Sequence, residues 1–215
     1  MIYSAEQVER CLRYAFECVL NRHQTTPWKG LSQSDKDNGY VGLLTLCGKT
    51  NVLTYVYDLW QRTLDRLSAE YPTVKTDYVH VDATCIYMVE CPNRFDVIVT
   101  GNMFGDIITD LAAVTQGGMG VASGGNINPN GVSMFEPIGG TAPNFTGLNQ
   151  INPMAAIGAA HMMLAHLGHT NVASQIEKAK QHVIQQMDSM QAGKMGYSTT
   201  EIGDKVVNQL LTHVN

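Results

Sequence analysis

Charge is scarce in this 215-residue chain. Only 15% of residues are charged, 14 Lys+Arg stand against 19 Asp+Glu, and the formal net charge is −5. No lysine/arginine run stands out, so nothing argues electrostatically for nucleic acid or an anionic membrane, and neither is expected as a partner. The five cysteines (Cys11, Cys18, Cys47, Cys85 and Cys91) are odd in number and none forms a Cys-x-x-Cys. That suits buried thiols in a reducing compartment better than a disulfide framework or zinc site. No run of about eighteen apolar residues exists, which excludes a transmembrane helix. The opening MIYSAEQVERCLRYAFECVL carries Glu6, Glu9 and Arg10 instead of a basic stretch followed by an apolar one. A secretory signal is therefore not expected, and the cytoplasm is the expected location. Internal repeats and clear linkers are also missing. The seven histidines form no metal-spaced pair; His161, His166, His169 and His182 read as core-edge or surface residues. What is plentiful is apolar material, 44% of the chain, enough for one large domain or two small ones.

Its spacing predicts the elements. Val8, Leu12, Ala15 and Val19 mark an amphipathic helix from about Ala5 to Asn21, capped by Ser4. HQTTPWKGLSQSDKDNGYVG then reads as a long polar loop, of a length uncommon in compact domains unless it is functional or disordered. LLTLC (Leu43 to Cys47) resembles a buried strand. Val52, Val56, Leu59 and Leu67, with Trp60 nearby, fit a helix ending near Tyr71-Pro72. TDYVHV alternates as a strand does, and FDVIVT (Phe95 to Thr100) is continuously apolar and β-branched, as expected of a central strand. QGGMGVASGGNINPNG reads as a glycine-rich loop, VSMFE as a short strand, and PIGGTAPNFTGLNQINP as a further loop. Ala155 to Leu167 is an Ala/Met-rich helix with little polar face, expected to be buried or at an interface. Two more helices follow, one on Val172, Ile176, Ala179, Val183 and Met187, the other on Ile202, Val206 and Leu210. Strands alternating with helices predict an α/β fold.

TGNMFGDIITDLAAV, Thr100 to Val114, sets Asp106 and Asp110 one helical turn apart among mostly apolar residues. Like charges at that spacing repel by roughly a few tenths of a kcal/mol on an exposed helix. Burial raises the cost steeply unless a cation or proton compensates. The plain reading is a solvated face, or acids favoured by the helix dipole. The chemical reading is a pair of hard oxygen ligands where a strand feeds a helix, the place where ligands gather in α/β sheets. Asp82, in HVDATCIYMV at the end of another predicted strand, is a third such acid.

RFDVIVTGNMFGDIITDLAA, GKTNVL, HVDATCIYMV and FEPIGGTAPNFTGLNQINPMAAI together resemble the metal-dependent β-decarboxylating dehydrogenases, the isocitrate/isopropylmalate dehydrogenase family. The likeness covers nearly the whole chain except about His23 to Gly42, and its wording is closest to the isopropylmalate branch. It implies an NAD-dependent oxidative decarboxylation of a 2-hydroxy-3-carboxy acid, 3-isopropylmalate to 2-oxoisocaproate in leucine biosynthesis. Isocitrate, homoisocitrate and tartrate are the alternative substrates. It also implies a two-domain α/β fold that is not a Rossmann fold, and a homodimer with a shared active site. By this resemblance Asp106 and Asp110 bind Mg2+ or Mn2+ together with Asp82 contributed by the neighbouring subunit. Lys49 of GKTNVL serves from that subunit as base for the substrate hydroxyl; a base must be neutral, and a nearby divalent cation favours that state. Asn51 contacts substrate or nicotinamide, and Tyr3 protonates the enol after decarboxylation.

The same resemblance makes Glu136 to about Asn152 the cofactor loop. Glu136 lies near the nicotinamide ribose, Gly139, Gly140, Ala142, Pro143 and Asn144 hold the adenosine half, and Asn152 reaches adenine. The family's His-Gly-Ser-Ala-Pro-Asp pattern is altered twice. Gly139 replaces the histidine that packs on adenine, and Asn144 replaces the aspartate that accepts both ribose hydroxyls. Without charge assistance that bond is weaker. Asn144-Phe145 offers no cation for a 2′-phosphate, which favours NAD over NADP. GGMGVASGGN has the wrong spacing for a Rossmann fingerprint, and the Asn144-Phe145-Thr146 sequon would not meet its transferase in the cytosol.

Family members are longer. The amino-terminal part, with the first strands of the larger domain and the arginines that clamp the malate carboxylates, is expected to be absent. Arg10, Arg13, Arg22, Arg62, Arg66 and Arg94 do not replace it. The expected organisation is 1–101 as the smaller, dimerising domain portion, with the polar insertion at about 23–42. The rest, 102–215, is then the C-terminal portion of the larger, cofactor-binding domain. Three readings stay open: a dehydrogenase portion needing a complementary or full-length subunit, a non-catalytic partner subunit lending Lys49 and Asp82, and an inactive truncated paralogue.

Overall fold

The first helix forms as its periodicity dictates. In a computed structural model describing residues 2–212, α1 spans Ala5–Thr25, with the Ser4 hydroxyl capping it by accepting from Gln7 N. Val8, Leu12, Ala15, Phe16 and Val19 are buried along one face. It runs beyond the expected Asn21, and the predicted loop at 23–42 is only partly a loop. His23 to Thr25 belong to α1, and Gln33–Asp37 form α2, a short helix closed by a reciprocal capping box between Ser32 and Asp35. Ser-x-x-Asp is a weaker start signal than the usual Ser-x-x-Glu, which is why the sequence concealed it.

Next come β1 (Gly42–Gly48), α3 (Thr54–Ser68), β2 (Val74–His80), α4 (Val81–Glu90), β3 (Val97–Thr100) and α5 (Asn102–Thr115). The three strands are parallel in the order β2-β1-β3. This corrects the expectation for Phe95 to Thr100. β1, buried at every position, is the central strand, and β3 lies at an edge with Val99 its one buried residue. A short continuous apolar run does not reveal which side of it is paired. Leu12, Phe16, Leu44, Leu46, Trp60 and Leu64 join α1, α3 and one sheet face in a common core.

Asp96 ties this unit together. Its carboxylate, 2% exposed, accepts from Arg22 Nε at 2.8 Å and from the Leu43 amide at 3.2 Å. One acid thus joins the end of α1, the start of β1 and the approach to β3. Gly42 has to be glycine, because a Cβ there would fall 2.6 Å from Asp96 Oδ2 and collide with Val19.

The chain divides into two compact units, Met1–Ala112 and Ala113–Asn215. In the second, β4 (Ser123–Asn126) and β5 (Met134–Pro137) pair antiparallel, so the predicted glycine-rich loop contains a strand. Glycine carries no β signal, and only pairing with β5 makes that segment a strand. α6 (Met154–His166), α7 (Thr170–Ile184) and α8 (Thr199–Thr212) follow, around Met154, Ala179, Val183, Met195, Ile202 and Val206. The start of α6 is buried as expected, whereas Met163 near its end is exposed. Among the described residues no helix is long and apolar enough to cross a membrane.

Replacing Asp96 by alanine leaves the Leu43 amide and Arg22 without their acceptor. The loss is about 2 kcal/mol, read as a lower urea midpoint with an unchanged m-value.

Candidate active site

Parallel pairing brings three carboxyl ends to one edge of the sheet. Gly48 is in register with His80, and Cys47 with Thr100, so the segments leaving β1, β2 and β3 emerge side by side. They carry Lys49, Asp82 and the Asn102–Asp110 helix. Such an edge is where α/β sheets collect their ligands.

Lys49 opens a tight turn whose carbonyl accepts from Val52 N and Leu53 N at 3.1 and 2.8 Å. The turn is pinned from β2. Tyr78 Oη accepts from Thr50 N at 2.9 Å and donates to Thr50 Oγ1 at 3.1 Å. Behind it, Gly48 lies against the Tyr57 ring, which a Cβ would approach to 2.5 Å. So fixed, Lys49 Nζ pairs with Asp82 Oδ2 at 2.8 Å. Asp82 is exposed in the first turn of α4 rather than at a strand end. The Lys49 hydrogen bond, assisted by backbone amides at the helix start, holds its carboxyl below the usual carboxylate range.

On α5, Asp106 and Asp110 are both exposed. Asn102 Nδ2 donates to Asp106 at 2.9 Å, and neither acid has a cationic partner within ion-pair distance among the described residues. The helix is anchored by Ile108, 3% exposed, and by Phe104, stacked on Tyr57 at 5.6 Å between ring centroids. Met103 and Ile107 on α5 are also exposed, as are Ile86 and Val89 on α4. Among the described residues no three His, Cys, Asp or Glu side chains stand close enough to hold a metal. Lys49 and Asp82 are brought together; Asp82, Asp106 and Asp110 are not joined into one such group.

Asn51 is exposed on the Lys49 turn. Tyr3 packs edge-on against Trp60, and its phenol covers Gly101, where a Cβ would fall 2.7 Å from the oxygen.

In the second unit, Glu136 stands exposed on β5 opposite Gly124. The loop after it turns through positive φ at Gly140 (+59°) and at Ala142 (+43°), a conformation that non-glycine residues rarely adopt and that often marks functional loops. One 3-10 turn, Pro143–Phe145, follows and leaves Asn144 exposed. Thr141, Ala142, Phe145, Thr146, Asn149 and Ile151 border a cleft of about 220 Å³. Gly139 lies in this loop with its surface exposed. Asn152 has a different place. It is buried, donates to the Met190 carbonyl at 3.1 Å and accepts at 3.0 Å from the amide of Met154, the first residue of α6.

The sequence profile of isocitrate/isopropylmalate dehydrogenases matches residues 1–206. The chain belongs to that family. The 3-isopropylmalate dehydrogenase of Clavibacter michiganensis is 43% identical over 215 residues, covering 99% of this chain and 55% of that protein. The 3-isopropylmalate dehydrogenase of Corynebacterium glutamicum is 45% identical over 204 residues, covering 94% of this chain and 54% of its own length. Among solved structures, isocitrate dehydrogenase from Methylococcus capsulatus superposes with a TM-score of 0.83 at 31% identity, over 97% of this chain and 57% of that one. The fold is therefore the α/β fold of isocitrate/isopropylmalate dehydrogenases, and the chain spans about half the length of the curated relatives it matches.

Sequence reasoning missed Tyr78 and Tyr57, which hold the Lys49 turn of this family member from behind. Tyr78 could have been suspected from its place two residues before the end of an alternating strand; Tyr57 carries no signal beyond helical periodicity. Replacing Lys49 by methionine returns the Asp82 midpoint toward its ordinary 3.8. Because that midpoint is depressed in the folded chain, the pair stabilises above the ordinary value and the contribution is lost as pH falls through the folded one. Carboxyl NMR titration of the two proteins measures both effects, and an unshifted midpoint would contradict the ion pair.

Proposed function

We propose that this chain forms the metal- and nicotinamide-side portion of an NAD-dependent β-decarboxylating dehydrogenase. Its reaction is the oxidative decarboxylation of 3-isopropylmalate to 2-oxoisocaproate, a cytoplasmic step of leucine biosynthesis. One observation carries the reading. In a member of this family, Lys49, Asp82 and the Asp106/Asp110 helix leave the same edge of one parallel sheet.

The residues fit a hard divalent ion. Asp106 and Asp110 are exposed oxygen donors a turn apart with no cation compensating them among the described residues, and Mg2+ or Mn2+ needs only one or two protein carboxylates beside substrate and water. When bound, such an ion supplies Lewis-acid stabilisation to the developing alkoxide and enolate oxygens. Around it, Lys49 takes the proton of the 2-hydroxyl, Asn51 orients substrate or nicotinamide, and Asp82 completes the acidic set from a second copy. The chain-internal Lys49–Asp82 pair keeps these two groups together for joint delivery across an interface. Exposed Ile86, Val89, Met103 and Ile107 on α4 and α5 support a homodimer as the assembly.

The loop from Glu136 through Gly139, Gly140, Ala142, Pro143 and Asn144 fits a nucleotide, because its unusual backbone and exposed amide leave polar groups accessible. Asn144-Phe145 places no cation for a 2′-phosphate, which supports NAD over NADP. The clamp for the substrate carboxylates comes from elsewhere: Arg13, Arg22, Arg62 and Arg66 are each engaged with carboxylates of this chain, and Arg94 lines a separate cleft beside Trp28. A complementary or full-length subunit supplies it.

The test joins this chain to the remaining part of a relative and follows NADH formation from 3-isopropylmalate and Mg2+. Asp106→Asn and Asp110→Asn each lower turnover by about 100-fold or more, the scale of several kcal/mol of lost charge stabilisation. Unchanged turnover in both variants would overturn the metal reading. Tyr3, proposed as the enol proton donor, has its own arm. Tyr3→Phe lowers turnover without lowering the melting temperature if it donates, and does the reverse if it only packs on Trp60.

A further inference from the structure

A cleft of about 510 Å³ in the first unit takes no part in this chemistry. It is lined by Trp28, Leu43, Lys75, Asp77, Asn93 and Arg94, along with Gly30 and Thr76. Leu43, Lys75 and Asp77 alternate with the core residues Leu44 and Val74 along their strands, so the cleft opens on the sheet face opposite α1 and α3. Its volume is that of an ordinary small-molecule site.

The polar segment at 23–42 builds one wall. Trp28 packs its ring on Gly30, where a Cβ would collide with it, and donates from Nε1 to the Asn93 carbonyl at 3.0 Å. That fixes the indole beside two ion pairs. Arg94 reaches Asp77 at 3.2 Å, and Lys75 reaches Asp35 of α2 at 2.7 Å. The Arg94 guanidinium is stacked 4.1 Å from the Tyr87 ring centroid and makes one long bond, leaving most of its five donors for a ligand. Lys75 likewise makes one of its three. Asp77 accepts from Tyr78 N and Arg94 and retains further acceptor capacity.

We propose that this cleft binds a free α-amino acid with an apolar side chain. Arg94 and Lys75 take its carboxylate, Asp77 takes its ammonium group, and the side chain lies on Trp28 and Leu43. Charge balance selects the class. Unspent donors on Arg94 and Lys75 and unspent acceptor capacity on Asp77 line the same cleft, so a simple anion would use only the cationic side of it. A zwitterion carries a group of each sign and so engages both sides at once. The inference stands on these residues alone, independent of the dehydrogenase reading.

Trp28 and Trp60 are the only tryptophans, and Trp60 is buried in the core, so indole emission from the full chain reports on the cleft. Titration with leucine or phenylalanine is expected to give a saturable change. Leucinamide and 4-methylpentanoate, each lacking one of the two charges, bind about tenfold more weakly or worse. Trp28→Phe abolishes the signal with circular dichroism unchanged, and Asp77→Asn weakens leucine binding by a similar factor. No saturable change with any amino acid overturns the proposal. So does an equal response to 4-methylpentanoate, which would mark a simple anion site. Should a variant fail to fold, calorimetric titration of the unaltered chain with leucine against leucinamide decides by itself.

Discussion

A strand buried on both faces and paired on both edges is the constraint from which the first unit follows. β1 shares its full length with β2 and residues Leu44 to Cys47 with β3, and no backbone amide or carbonyl on it can be left unpaired without cost. Parallel pairing then forces each neighbouring strand to end where β1 ends. Lys49, Asp82 and Asp106 are far apart in sequence, and they share one edge because this register permits no other arrangement. Asp96 closes the opposite end of the same construction by holding the Leu43 amide near the start of the strand to the last turn of α1.

The electrostatics divide accordingly. Away from the sheet's carboxyl edge, acids and arginines neutralise each other, as in the cluster of Glu9, Arg13, Arg66 and Glu70 on α1, α3 and the turn after it. These half-exposed pairs fix helix packing more than they add stability. At the carboxyl edge Lys49 pairs with Asp82, whereas Asp106 meets only the Asn102 amide among the described residues.

How much of this could be read without coordinates depended on the kind of signal. Helices announced themselves through spacing, since Val8, Leu12, Ala15 and Val19 must share a face on any helix. The Asp106/Asp110 separation was legible for the same reason, and family motifs supplied the roles. Relations that live in pairing were not legible. Nothing in FDVIVT says that its outer edge lacks a partner, and nothing in SGGN says it is a strand. The Lys49–Asp82 contact, between residues more than thirty positions apart, needs the register of β1 on β2. Asn152 illustrates a third case. Its side-chain amide bridges the Met190 carbonyl and the first amide of α6, a contact only local geometry reveals.

Among the described residues β3 pairs with β1 alone, so its outer row of amides and carbonyls faces away from the sheet. Such a margin is a template for strand addition, and evolved proteins normally cover or charge it. Val97, Ile98 and Val99 carry neither charge nor proline to discourage a stray strand. The chain on its own is thus open to self-association through that margin, and a complementing strand bound there would at once extend the sheet and guard against aggregation.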